Sequence, residues 1–199
     1  MVPRRFLNTK EIMAILTSFK LERMVLLGGE PLTCPQIDRI VAYAKELGAH
    51  VKVAHSNLSI LPPEGVDEMG VSLRSISKRK HMQLTGATNQ KVLSNIYKVH
   101  DRGVKLQLST ILIPEIMDKN EIERIAGFLA DVDRDLPLHI TGYIPVPGIP
   151  WRRPTREEMQ DAIEAASVHL NCVTGSVLSV RDYLEITDRD SLHGRYEVA

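Results

Sequence analysis

The tetrapeptide Gly28-Gly29-Glu30-Pro31 directly follows the apolar run Met24-Val25-Leu26-Leu27. Glycine has no Cβ, so the backbone at such a pair can approach a ligand closely or take positive φ. A carboxylate set beside free backbone carbonyls at the end of a strand is a good receptor for an ammonium group. The same four residues also suit a tight strand-to-helix turn with a solvated Glu30, and spacing alone does not choose between the two. Cys34 and Cys172 are the only cysteines, far apart and in no cluster spacing, so they read as isolated thiols. The seven histidines show no His-Glu-x-x-His spacing, and neither a Ser-His-Asp order nor a Walker loop is present. His55 and His139 fall near strand ends, where a lone histidine is more often structural. Lys78-Arg79-Lys80-His81 reads as a solvated charge run; a docking surface for an acidic partner is the alternative.

These residues have to be positioned by an alternation of strands and helices. Met24–Leu27 is short, wholly apolar and bounded by glycines, as expected of a strand buried on both faces. Ile37, Ile40, Val41, Ala44 and Leu47 form a helical stripe that ends at Gly48. His50–His55 and Gly70–Leu73 read as strands, and Arg74–Ala87 as a long polar loop of the kind that is often functional. A helix is expected from about Asn89 with Val92, Leu93, Ile96 and Val99 on one face. The longest strand is expected over Val104–Ile113. Asp118 and Glu121 have capping-box-like spacing ahead of a helix that buries Ile122, Ile125, Ala126 and Leu129. Leu138–Ile144 is a further strand, and a proline-rich crossing runs from Pro145 to Pro154. Thr155 and Glu158 form a capping box for the next helix, and Val177–Val180 is the last candidate strand. Strands alternating with helices at this interval imply a parallel sheet covered by helices, with function at the carboxyl ends of the strands.

The 199 residues suffice for one domain with a sizeable core, 43% hydrophobic and 25% charged. Zero formal net charge offers no broad basic field, so no nucleic-acid partner is expected. No run of about 18 apolar residues is present, which argues against a membrane span. No apolar stretch of signal-peptide type follows the basic Met1–Phe6 segment, and a cytoplasmic location is the expectation.

A strand followed by Gly28-Gly29-Glu30-Pro31 resembles the glycine-rich motif of the radical S-adenosylmethionine superfamily. Ser72-Leu73-Arg74, then Lys80-His81, Leu84-Thr85-Gly86 and Asn89, follow the order of the pyruvate formate-lyase-activating-enzyme-like branch. Ile113-Pro114 with Asp118, His139 to Pro145, and Pro154-Thr155 extend the resemblance over roughly Leu7 to Leu170. It implies a partial TIM-like (β/α)6 barrel of α/β class with a mostly parallel sheet. A single barrel domain is expected over residues 1–180, with a polar C-terminal extension over 181–199.

The resemblance also implies S-adenosylmethionine as cofactor. Gly28, Gly29, Glu30 and Pro31 would hold its methionine amino group, and Arg74 could pair with its carboxylate bidentately. Ser72 and Arg74 stand where the family has Asp-x-Lys, so a contact by a carboxylate at position 72 is lost. Ser56 and Asn57 occupy the place of a Thr-Asn-Gly segment, and either reach the cofactor or only form the turn. His139 joins the set through the alignment alone. The family also carries a [4Fe-4S] cluster with one open iron, held by three cysteines of a Cys-x3-Cys-x2-Cys loop that precedes the Gly-Gly-Glu-Pro strand. No such loop occurs in these 199 residues, and the expectation is that the first strand and the cluster loop are missing. The complete family cleaves the cofactor to a 5′-deoxyadenosyl radical, and activating enzymes use it on a glycine of a partner protein. This chain alone is then expected to be inactive, with a protein substrate or a second polypeptide that supplies the cluster loop as partner. The alternative is a non-catalytic binding or association module that forms homo-oligomers through an exposed sheet edge. A phosphate-binding barrel fragment ranks last, for want of a glycine-rich phosphate loop.

Overall fold

The computed structural model describes residues 6–177, and everything expected of residues 1–5 and 178–199 lies outside the described residues. The elements run α1 (Thr9–Thr17), β1 (Arg23–Leu26), a 3-10 turn (Pro31–Thr33), α2 (Ile37–Glu46), β2 (His50–Ser56), β3 (Glu68–Ser72), α3 (Lys78–Thr85), α4 (Gln90–Asp101), β4 (Lys105–Leu112), α5 (Lys119–Val132), β5 (Leu138–Gly142), α6 (Arg156–Ser167) and β6 (Val173–Ser176). The six strands form one sheet in the order β1-β2-β3-β4-β5-β6, every neighbouring pair parallel. Among the described residues β1 and β6 do not pair, so the sheet is parallel, as the alternating pattern implies, and an open partial barrel, as the resemblance implies.

Period-2 alternation sorts the strand side chains onto two faces. Val51, Val53, Met69, Val71, Leu106, Leu108, Leu138 and Ile140 are buried in the core, together with Val41 and Ala44 of α2, Ile96 and Val99 of α4, and Ile122, Ile125 and Leu129 of α5. Each fully buried aliphatic side chain contributes roughly 1.5–3 kcal/mol, so this layer dominates the energetics of the fold. The concave face is polar. At its amino end Glu68 accepts from Lys52 Nζ (2.6 Å) and Arg23 Nη2 (3.0 Å), and Lys52 also reaches Gln107 Oε1 (3.0 Å). Glu68 is buried, and the desolvation of such a pair offsets much of its attraction, so this network closes the base of the barrel more than it stabilises it.

Three expectations are corrected. β1 is not buried on both faces: Met24 is buried but Val25 is 44% and Leu27 72% exposed, because the strand lies at the sheet edge and, among the described residues, nothing covers its concave side. The expected loop Arg74–Ala87 contains α3, started by the Ser77 hydroxyl accepting from the Lys80 amide and ended by a left-handed Gly86. A sixth strand, not expected, runs over Val173–Ser176, whereas the stretch expected at Val177–Val180 lies, beyond Val177, outside the described residues. Asp118 caps α5 by accepting from the Glu121 amide, but the Glu121 side chain does not return the bond, so no capping box forms there. α1, which carries a full capping box between Asn8 and Glu11, had no counterpart in the sequence reading. The Thr155–Glu158 capping box is present as expected. None of the helices among the described residues is long and apolar enough to cross a membrane.

Candidate functional site

The carboxyl ends of β1 to β3, the later part of α3 and the turn into α4 enclose a cavity of about 400 Å³. Gly29, Glu30, Ser56, Asn57, Ser72 and Arg74 line it, and six of the nine residues singled out in the sequence thereby come together. Gly28 and Gly29 have φ of +103° and +37°, a region that disfavours side chains, and a Cβ on either would meet nothing within 4 Å. Their role is to turn the chain so that Glu30 faces β2. Pro31 is buried under the rim and opens the 3-10 turn.

Glu30 is not a solvated carboxylate. Its Oε1 accepts from the Ser56 hydroxyl (2.7 Å) and the Leu32 amide (3.3 Å), and its Oε2 from the Asn57 amide (2.7 Å). Ser56 Oγ in turn accepts from the Leu58 amide (2.9 Å), and Asn57 Oδ1 from the Ser59 amide (2.8 Å). Leu58, fully buried, takes a positive φ of 52°, and Asn95 Nδ2 donates to its carbonyl at 3.0 Å. A non-glycine residue in that region carries strain of about 1–2 kcal/mol, which burial of the leucine side chain offsets. Ser56 and Asn57 therefore form the turn and at the same time line the cavity.

Arg74 extends from the end of β3 and is half-buried. Among the described residues it has no hydrogen bond or ion pair, and burial lowers the pKa of its guanidinium. His81, from α3, lines the same cavity. Burial lowers its pKa, opposed by a bond to the Ser75 carbonyl and reinforced by Arg74, so the ring is neutral at pH 7. Its Nδ1 has no partner.

A second cavity of about 520 Å³ opens over the concave face of β2 to β5 and shares His55, Ser72 and Arg74 with the first. His139 lies there, away from Glu30, with Nδ1 2.8 Å from Thr174 Oγ1 and Nε2 3.0 Å from Ser176 Oγ. Gly70 is also in this wall; a Cβ there would collide with the Ala54 carbonyl oxygen, so the close approach of β2 and β3 requires glycine.

The sequence offered Glu121 only as a capping partner of Asp118, not as a buried carboxylate behind the cavity. It is fully buried, and its Oε1 accepts from the Ile76 and Ser77 amides (3.0 Å each) and the Ser75 hydroxyl. Burial works against the ionised form, but the Ser75 and Ser77 bonds, Arg124 and Lys80 outweigh it, and the pKa lies below the ordinary glutamate value. The available signal was its place at i, i+4, i+8 with Ile125 and Leu129, a carboxylate on an apolar stripe.

A cluster with one open iron needs three converging thiolates. Cys34 follows β1 at the carboxyl end of the sheet and donates to Gln36 Oε1, whereas Cys172 precedes β6 at the amino end. No group of three metal-ligating side chains occurs among the described residues, and the two cysteines do not fit such a cluster. The cavity does fit a zwitterionic ligand: a carboxylate with remaining acceptor capacity stands on one wall and an unpaired guanidinium on another.

An open parallel (β/α) sheet with a polar cavity at its strand ends defines a partial-barrel α/β protein. Residues 1–129 match the radical SAM superfamily. The chain is 31% identical over 175 residues to a putative glycyl-radical enzyme activating enzyme of Methanocaldococcus jannaschii, covering 84% of this chain and 68% of that protein. It belongs to the radical S-adenosylmethionine superfamily, and its relative is of the activating-enzyme type. A domain of pyruvate-formate lyase-activating enzyme from Bacteroides vulgatus shares the fold with a TM-score of 0.64 at 20% identity, over 79% of this chain and 99% of that one. SuiB of Streptococcus suis, in complex with its precursor peptide SuiA, superposes with a TM-score of 0.67 at 16% identity, over 93% of this chain and 46% of that one.

Proposed function

We propose that the cavity between Glu30 and Arg74 binds S-adenosylmethionine in an activating-enzyme-like domain whose [4Fe-4S] ligands come from outside these 199 residues. The observation that carries this reading is the half-buried Arg74 guanidinium, left without an anion in a cavity whose opposite wall is the Glu30 carboxylate. An α-amino acid end bears both complementary charges. Oε2 of Glu30 accepts one protein bond and keeps a lone pair for an ammonium group. Arg74 offers a planar fork to the carboxylate, and Ser72 lies beside it with only a long contact, 3.3 Å, to Ser109 Oγ. Gly28, Gly29 and Pro31 shape the rim, Ser56 and Asn57 hold Glu30, and His139 serves from the second cavity. When cofactor and cluster are both bound in the complete family, they supply reductive carbon–sulfur cleavage. Here the cluster ligands are assigned to a longer product or to a second polypeptide.

A protein substrate is the proposed partner, supported by the activating-enzyme relative and by the peptide complex of SuiB. The site of action is proposed to be cytoplasmic. The test is calorimetric titration of the purified chain with S-adenosylmethionine. Binding that weakens at least tenfold in Arg74→Ala, with no response to inorganic phosphate, is the expected result; equal affinity in both proteins overturns the reading.

An association role has its own support. Among the described residues the outer backbone edge of β1 is unpaired, Val25 and Leu27 are exposed beside it, and an apolar groove of about 660 Å³ runs between α1 and β1 past Phe6, Ile12, Leu16 and Met24. Such an edge templates strand pairing. Light scattering is expected to find dimers, and a clean monomer at high concentration removes this role.

A further inference from the structure

Among the described residues Arg74 makes no hydrogen bond or ion pair that would aim it, yet the turn after it is thoroughly held. Glu121 grips residues 75–77 from α5, with the Ser75 hydroxyl and the Ile76 and Ser77 amides all directed at Oε1. Oε2 faces Arg124 Nη2 at 2.8 Å and Lys80 Nζ at 3.5 Å. From the other side Asn89 Nδ2 donates to the carbonyls of Ser75 (3.1 Å) and Ile76 (2.7 Å). The gripped turn begins one residue after Arg74 and ends at Ser77, the cap of the helix that carries His81. Two amides, a hydroxyl and two cations thus converge on a space the size of one carboxylate, the arrangement by which backbone nests hold free anions. Here a side chain of the same protein fills it.

We infer that Glu121, assisted by Asn89, is a positioning residue for the strand-end cavity: as a built-in anion it locks turn 75–77 and so sets where Arg74 and His81 stand. This rests on the reading of that cavity as the S-adenosylmethionine site. A stability role alone explains the arrangement poorly. Burying a charged carboxylate on an apolar helix stripe costs heavily in desolvation, and replacing buried ion pairs by apolar side chains is often neutral or stabilising. All of the uncharged donors to Glu121 come from this one turn, so what the carboxylate determines is the conformation of the turn.

The experiment uses the full chain and its Glu121→Ala and Glu121→Gln variants. Two readouts are taken: hydrogen exchange across residues 73–85 without cofactor, and the dissociation constant for S-adenosylmethionine. In Glu121→Ala the segment is expected to lose protection while β3 and β4 keep theirs, and affinity is expected to fall about tenfold or more. Millimolar formate, which fits the vacated space, is expected to restore both, whereas chloride at equal ionic strength does not. Glu121→Gln keeps the volume and one acceptor and is expected to fall between, and it decides the matter if the alanine variant does not fold. Unchanged protection overturns the inference. Lost protection with unchanged affinity, or a uniform loss that formate does not reverse, overturns it equally. If the wild-type chain takes up no S-adenosylmethionine, the reading of the cavity fails by itself, and exchange with formate still decides whether Glu121 fills an anion nest.

Discussion

Three of the roughly four lone-pair directions of the Glu30 carboxylate are taken by protein donors. The residue therefore has a structural task and a spare acceptor at once, where the sequence suggested one or the other. Glu30→Gln exchanges one acceptor oxygen for a donor facing Ser56 or Asn57 and removes the charge. Affinity for S-adenosylmethionine is expected to fall about tenfold or more, and stability by about 1–3 kcal/mol, measured by titration and urea unfolding. Arg74 is expected to behave oppositely toward the fold. Arg74→Met removes a half-buried unpaired cation, so the melting temperature is expected to rise, by up to about 1 kcal/mol in stability, while binding is lost. A variant that loses stability and keeps affinity reverses both assignments. At this scale the sequence showed the exposed polar set well, because chemistry at strand ends uses recognisable residue types. It hid Glu121, whose spacing from Asp118 imitates a cap, and His81, which sits in a run of solvated charges but turns inward.

Helices and strands were legible where periodicity was long. The stripes of α2, α4 and α5 face the core as read, except Leu47 at the end of α2, which is 36% exposed. α3 was not, because its residues are polar and only one, His81, is buried. The two kinds of glycine among these elements make separable predictions. At Gly28 there is space but positive φ, so Gly28→Ala is expected to cost about 1–2 kcal/mol and to misdirect Glu30. At Gly70 the conformation is ordinary but the Ala54 carbonyl occupies the place of a Cβ, so β2 and β3 have to separate. Gly70→Ala is expected to cost about 2 kcal/mol or more, with the larger drop in melting temperature of the two.

For the whole molecule, the alternating rhythm was enough to state a parallel sheet covered by helices, and the family resemblance, not the rhythm, made it an incomplete six-stranded barrel. It did not reveal that the concave side of β1 is open, because an apolar run reads alike at a sheet's centre and at its edge. Charge sets the response to acid. Glu158, paired through both oxygens with Arg152 and bonded to the Thr155 amide, is lowered to a pKa of about 2 from an ordinary 4.5. Glu68 is lowered by its bond from Lys52, against the effect of burial. Depressed carboxylates contribute stability that is complete above their unfolded values and disappears as pH falls through their folded ones. Urea unfolding between pH 5 and about 2 is therefore expected to show falling stability, with a shallower slope in Glu158→Gln. A flat profile rejects the pairing as a source of acid sensitivity.

The strand order is also the order of synthesis. Each strand leaving the ribosome pairs with the one made just before it, so none has to be threaded between two already in place. Every pairing closes a loop of at most two helices, and β2 to β3 one of none, at modest entropic cost. The sheet can grow at a single advancing edge, with the polar concave face completed last, when β5 and β6 bring His139, Thr174 and Ser176 together.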